Sequence, residues 1–301
     1  MKKTDIAASQ PSYEEILRKE RRANSAWNKL RRNKTAMIGL FIIVIMTAIA
    51  VFAPFITGGK PNEIHPIDAY LGFFEKGHLF GTDEAGRDLF TRICYGARVS
   101  LLVAVGATVL GGVIGVALGL ISGYAGGVVD AVIMRCMDGV MAFPFILLSI
   151  ILMTVLGDGI FNVILAIGIA VVPRFSRVVR GQVLIVKKEE YCNAGRVIGI
   201  SNTRMLLHHI LPNTVSEVIV YATLNTASAI ISEASLSFLG LGIKLPTASW
   251  GSILRSGRDC LNTAPHIAGI SGCFILLTVI GFNLLGDGIR DVLEPKMRRK
   301  P

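Results

Sequence analysis

Charge is scarce in this chain. Only 17% of its residues are Asp, Glu, Lys or Arg, against roughly a quarter in an ordinary soluble domain, and 52% are hydrophobic. So little charge cannot coat a water-soluble protein of 301 residues, and the mean hydropathy of +0.58 agrees. The five cysteines, at 94, 136, 192, 260 and 273, include no C-x-x-C, which argues against metal or redox work. No G-x-x-x-x-G-K-[ST] occurs; the nearest stretch, "GGKPN", has the wrong spacing, so no P-loop holds ATP. There is no H-E-x-x-H and no evident hydrolytic triad. His208 and His209 are adjacent and would point about 100° apart on a helix, a poor chelate. No internal repeat is evident, so the symmetry of many secondary transporters is missing. No catalytic residue, cofactor or metal is expected.

What the chain does have is long apolar runs. Six membrane spans are expected, at 36–56, 99–122, 132–156, 160–179, 214–235 and 265–286, giving an all-α polytopic membrane protein. The fourth is the weakest, since its apolar part ends at Val172 and is followed by Pro173 and Arg174. The first is expected to stay as an anchor: the basic segment before it is too long for a signal peptide and no small-residue cleavage site follows. Lys and Arg number 10 in residues 1–34, 5 in 56–98, 1 at Arg135, 7 in 174–213, 3 in 236–264 and 5 in 287–301. Alternate loops therefore carry 23 on the N-terminal side and 8 on the other, the positive-inside pattern with both termini cytoplasmic. The net charge of +10 reports this orientation and attraction to anionic lipid rather than a nucleic-acid partner.

The expected organisation is a cytoplasmic tail over 1–34, with one amphipathic turn around "YEEILRKERR" for the membrane surface; a first span and outward segment over 35–98; a five-helix transmembrane region over 99–287; and a cytoplasmic tail over 288–301. An amphipathic helix is expected over Glu84–Tyr95, with Leu89, Phe90 and Ile93 on one side. Gly111, Gly115, Gly119 and Gly123, four apart, make one helix stripe that lets another backbone approach closely. In the third span Arg135 and Asp138 are spaced to pair, and Pro144 is placed to kink the run. Arg174, Arg177 and Arg180 form a stripe suited to lipid phosphates or snorkelling. Cys94 and Cys260 both fall in outward loops; they either pair or, the preferred reading, stay free thiols. Glu233, near the outer end of the fifth span, is the ionisable residue best placed for a pathway.

Residues 189–213, "EEYCNAGRVIGISNTRMLLHHILPN", interrupt this apolar pattern. They read as helix, turn, helix. Glu189–Ile198 is one short helix, Gly199 permits a sharp turn, Ser201 caps Asn202–His209, and Pro212 stops that helix ahead of the fifth span. Val197, Ile198, Met205, Leu206 and Ile210 supply an apolar side that must be buried against lipid headgroups or a soluble partner.

The insert resembles the "EAA" loop of ABC importer permeases, with the pattern E-A-A, three residues, Gly, nine residues, I-x-L-P. Asn193, Ala194 and Gly195 stand in the E-A-A slots, Gly199 at the Gly, and Leu211 and Pro212 at the end; Asn193 replaces the acid and His209 the Ile. "GTDEAGRDLFTRICYGARVSLL", "GLISGYAGGVVDAVIMRCMD", "SFLGLGIKLPTASWG" and "GFNLLGDGIRDVLEPK" resemble the dipeptide/oligopeptide/nickel group, C-subunit type, from about residue 35 onward. The resemblance implies a type I ABC importer permease fold in the cytoplasmic membrane of a prokaryote. It implies a sister permease, two ATPase subunits and an external solute-binding protein as partners, and a coupling role for the loop, Glu190 included. Peptides are the implied cargo, with nickel or another small solute as the alternative. A self-powered secondary transporter or channel, or a membrane scaffold, are the other classes; copurified ATPase subunits would separate them.

Overall fold

The computed structural model describes residues 26–293, and the regular elements among them are helices. A short helix α1 (Ala26–Arg32) leads into α2 (Lys34–Thr57), whose first turn is capped by Asn33 accepting from the Thr35 and Ala36 amides at 3.1 and 3.2 Å. There follow α3 (Leu89–Ala125), α4 (Gly127–Met141), α5 (Phe145–Leu156), α6 (Ile160–Val186), α7 (Glu190–Val197), α8 (Asn202–Phe238), α9 (Trp250–Asp259) and α10 (Pro265–Leu293). Five of these, α2, α3, α6, α8 and α10, are long and apolar enough to cross a membrane. A sixth crossing arises only if α4 and α5, bent by 87°, are taken together. The expected tail turn "YEEILRKERR" lies outside the described residues, as do residues 294–301.

The chain alternates direction, so α1, residues 189–213 and the end of α10 share one end of the bundle. Asn33 donates to Asp291 there at 3.4 Å, and the Tyr124 hydroxyl donates to Asn202 at 2.8 Å. Residues 58–88 and 239–264 form a lobe at the opposite end. Both α3 and α8 have 37 residues, about 55 Å at 1.5 Å per residue, against a hydrocarbon core of about 30 Å. Each therefore has turns to spare. The surplus of α3 lies in the lobe and that of α8 forms part of the hairpin end. Three apolar clusters follow from this: one in mid-bundle around Ile167, Phe175 and Ile230; one under the lobe around Leu89, Trp250 and Ile267; and one at the hairpin end around Val183, Met205 and Ile210.

The glycine stripe lies against α6. A Cβ on Gly111 would stand 2.6 Å from the Gly168 carbonyl oxygen, one on Gly119 2.6 Å from that of Ser176, and one on Gly123 2.8 Å from Val183 Cβ; on Gly115 it would collide with Phe175 Cβ. The two backbones are in contact along about three turns, which only residues without side chains allow.

The third span departs from expectation most. Pro144 breaks the run into two helices rather than kinking one: its backbone stands extended at φ −54°, ψ 133°, and it has no N–H to continue the ladder. The 12-residue α5 reaches only about 18 Å. The expected Arg135–Asp138 pair is absent: Asp138 takes Arg177 at 2.5 Å instead. The arginines of the stripe likewise meet neighbouring helices. Arg180 makes a two-pronged pair with Asp130 at 2.6 and 2.6 Å, and Arg174 lies over the Phe145 ring at 5.5 Å. An arginine fork finds a carboxylate of matching geometry on a neighbouring helix, so the stripe ties α6 to α4 and α5.

The amphipathic helix expected over Glu84–Tyr95 begins only at Leu89. Asp88 caps it by accepting from the Thr91 amide at 2.7 Å, and the helix runs on without a break into the second span. The residues before it form a turn around a buried ion cluster. Asp83 takes Arg87 Nε at 2.7 Å and Arg92 Nε at 3.2 Å on one oxygen, and the Ala85 and Arg87 amides on the other. With side chains 3%, 6% and 1% exposed, these groups fix the lobe to α3, and removing one partner would leave a buried charge uncompensated.

Candidate functional site

The hairpin end is built from the end of α6 outward. Lys187 donates to the Tyr124 carbonyl at 2.5 Å and lies over that ring at 5.5 Å, which anchors the turn that follows. Glu189 holds an extended backbone and opens α7. Along α7, Cys192 and Gly195 face inward, while Glu190, Asn193 and Ala194 face out. Gly195 has to be small, since a Cβ there would stand 2.5 Å from Met205 Cε and 3.2 Å from Ile200 Cδ1.

The end of α7 is a Schellman motif. The Ile200 amide donates to the Gly195 carbonyl at 3.0 Å, and that of Gly199 to Arg196 at 3.1 Å. This pattern needs a left-handed residue in the C′ place, usually glycine; Gly199 fills it with φ +78°. Ser201 then sits in the cap position of α8 with suitable backbone angles but no side-chain bond.

Pro212 does not end the helix, contrary to expectation. Residues Met205–Ile210 widen into a π turn, in which the Leu211 amide reaches back to the Leu206 carbonyl. The wider turn accommodates the missing proline N–H and relieves the ring's clash with the preceding turn. Asn213 donates to the His209 carbonyl at 2.6 Å and to the Tyr191 hydroxyl at 3.1 Å, linking the two arms. The second arm of the hairpin and the fifth span are thus one helix, with Leu211 and Pro212 inside it.

The apolar residues of the insert divide between two faces instead of forming one side. Met205 and Ile210 are fully buried, with Leu206 packed beside them against the ends of α3 and α6. Val197 and Ile198 stand at the tip of the hairpin, 88% and 77% exposed. The hairpin is thus packed by one apolar face on its own bundle and presents another at its tip. Sequence reasoning missed Tyr124, Lys187 and Asn213, whose anchoring contacts join residues up to 78 positions apart.

Glu233 lies away from this site and has no exposed surface. Its carboxylate accepts from Ser100 Oγ at 2.9 Å and Ser237 Oγ at 2.8 Å. Those hydroxyls in turn accept from the Trp250 and Ile243 amides. It is placed inside the bundle, where it joins α3, α8 and the lobe. Cys94 and Cys260 are both free and buried, and burial pushes the Cys260 thiol above its ordinary range.

Residues 115–299 match the family described as the inner membrane component of binding-protein-dependent transport systems, and residues 23–72 match the N-terminal transmembrane domain of oligopeptide transport permease C. The chain belongs to this permease family. It is 44% identical over 273 residues to the dipeptide transport system permease protein DppC of Alkalihalophilus pseudofirmus, covering 91% of this chain and 90% of that one. It is 43% identical over 272 residues to the glutathione transport system permease protein GsiD of Escherichia coli, covering 90% of each. The GsiD protein of Shigella boydii matches over the same span at the same identity. The permease is therefore a multi-pass membrane transport component rather than an enzyme, with the helical spans just described.

Proposed function

We propose that this permease is one half of a peptide-conducting pathway in an ATP-driven importer, paired with a sister permease and coupled through residues 189–213 to two ATPase subunits. The observation that carries the reading is the hairpin tip. Val197 and Ile198, with Glu190, Asn193 and Ala194 beside them, present an apolar knob on a base locked to α3, α6 and α8. Burying the two aliphatic side chains in a groove contributes about 1.5–3 kcal/mol each, enough to hold a docked subunit in register. Closure of the ATPase pair on ATP then displaces the tip, and the locked base turns that displacement into tilting of the spans.

In this reading the hairpin end, with both chain termini, is cytoplasmic, supported by the 23-to-8 division of Lys and Arg. The lobe faces outward and receives an external solute-binding protein. Short peptides are the cargo, supported by the relatives named for dipeptide and glutathione transport. The test is the double substitution Val197→Ser with Ile198→Ser, which touches no residue of the permease's own core. It should leave membrane abundance unchanged, reduce copurification of the ATPase subunits at least about tenfold, as expected for losing most of an apolar anchor, and abolish peptide uptake in vesicles. Full retention of the ATPases would overturn the docking role.

A further inference from the structure

The lobe carries an open cavity of about 690 Å³, within the range of roughly 300–1,000 Å³ common for small-molecule sites. It lies at the opposite end of the bundle from the hairpin, and its wall adjoins the buried Glu233 cluster through Ile243, whose amide donates to Ser237. Its walls come from three distant stretches: Tyr70 and Glu84 from the segment before α3, Lys244 from the turn after α8, and Arg255, Ser256 and Asp259 from α9.

The charges on these walls are unequally satisfied. Lys244 is paired with Asp158 at 2.7 Å. Glu84 uses Oε1 to accept from Arg87 at 3.1 Å and Ser256 at 3.3 Å, and Asp259 uses Oδ1 on Arg258 at 2.9 and 2.8 Å. The second oxygen of each carboxylate has no partner among the described residues. Arg255 has no acidic partner and no hydrogen bond among them either. The Arg255 side chain is exposed and its guanidinium lies alongside Gly240, where a Cβ would stand 2.5 Å from Nη1 and 2.8 Å from Cζ. An unpaired guanidinium at the cavity wall offers a planar fork of donors to a carboxylate. Two half-free carboxylates in the same cavity offer acceptors to an ammonium group.

We infer that this cavity receives a short zwitterionic peptide at the outer face, its terminal carboxylate on Arg255 and its terminal ammonium toward the free oxygens of Glu84 and Asp259. The inference rests on the peptide-import reading and adds to it a permease subsite distinct from the span interior. An acidic side chain of a docked protein would also satisfy Arg255, but it would bring no ammonium for the two remaining carboxylate oxygens.

The test uses the permease with its sister and ATPase subunits in nanodiscs, without the solute-binding protein, and saturation-transfer NMR with alanyl-phenylalanine and its C-terminal amide. Binding of the free peptide should weaken about tenfold in Arg255→Gln, the loss expected for one charge-assisted hydrogen-bonded contact. The amide should bind about as weakly to both proteins. Arg98→Gln removes the same charge from the lobe end of α3, but Arg98 lies over the Tyr95 ring outside the cavity, so it should leave both ligands unaffected. Equal binding of peptide and amide to the native complex would overturn the inference. So would unchanged peptide binding in Arg255→Gln accompanied by weaker docking of the solute-binding protein, which would make the occupant an acidic side chain of that partner. Uptake of the same peptide by native vesicles is measured alongside. Its absence sinks the peptide-import reading, whereas normal uptake with Arg255-independent binding sinks only the cavity assignment.

Discussion

Two glycines four residues apart in α7 and its cap have different reasons to be glycine. Gly195 is small because Met205 lies on it; Gly199 has nothing within 4 Å of where a Cβ would be, and is constrained only by its φ of +78°. Gly199→Val therefore costs backbone strain alone, about 1–3 kcal/mol. That is minor against the insertion of the spans but comparable to a coupling free energy of about 1–3 kcal/mol. The expected outcome is normal membrane abundance with a steep loss of uptake and of binding-protein-stimulated ATP hydrolysis in reconstituted vesicles. Wild-type uptake in the variant would leave the hairpin as a passive surface loop. Gly115→Leu is the opposite case, a collision with Phe175 and the Val172 carbonyl that neither backbone can escape. It should cost about 3 kcal/mol or more and appear as low abundance and a lowered thermal transition. Gly112→Ala, whose Cβ would meet only the Phe175 ring at 3.5 Å, should be tolerated; equal damage from both would show that the stripe is not what sets the α3–α6 spacing.

At the scale of elements, α4 needs explaining, because none of its residues is buried within the described chain. Its position depends on polar contacts: Asp130 with Arg180 and Ser122, and Asp138 with Arg177. The Arg177 pair is nearly half exposed on both sides and contributes little. The Asp130–Arg180 pair is two-pronged and less exposed, at 18% and 33%. A double-mutant cycle of Asp130→Asn and Arg180→Gln, read by thermal unfolding of the purified permease, should give a coupling of about 1 kcal/mol, the upper part of the range for solvent-accessible pairs. A coupling near zero would mean that α4 is held by something other than this pair.

For the whole molecule, the alternation of helix direction puts the hairpin and the lobe at opposite ends, and the proposed topology places the hairpin end in the cytoplasm. Single cysteines placed at Lys60 in the lobe segment and Lys188 at the hairpin, with the exposed Cys136 and Cys273 replaced by serine, should label from opposite sides of intact cells with an impermeant thiol reagent. Labelling of both from one side would contradict the topology.

Hydropathy and local backbone chemistry were readable along the chain. Apolar runs declared five of the six expected spans, glycine every fourth residue declares a bare helix face, and "GRVIGIS" declares a helix stop with a left-handed residue, because each depends on neighbours within a few positions. Tertiary structure alone decided the rest. Nothing near Arg180 or Asp130 in sequence says that they meet across fifty residues, or that Asp138 prefers Arg177 to the nearby Arg135. The continuation of α8 through Pro212 depends on a π turn that no propensity rule anticipates. The burial of Glu233 and the free guanidinium of Arg255 both depend on where α9 folds back between α8 and α10. The physical reason is the same throughout: solvation and φ are properties of a residue and its flanks, whereas the choice among competing charged or hydroxyl partners is made by angstrom-scale distances that exist only once the helices have packed.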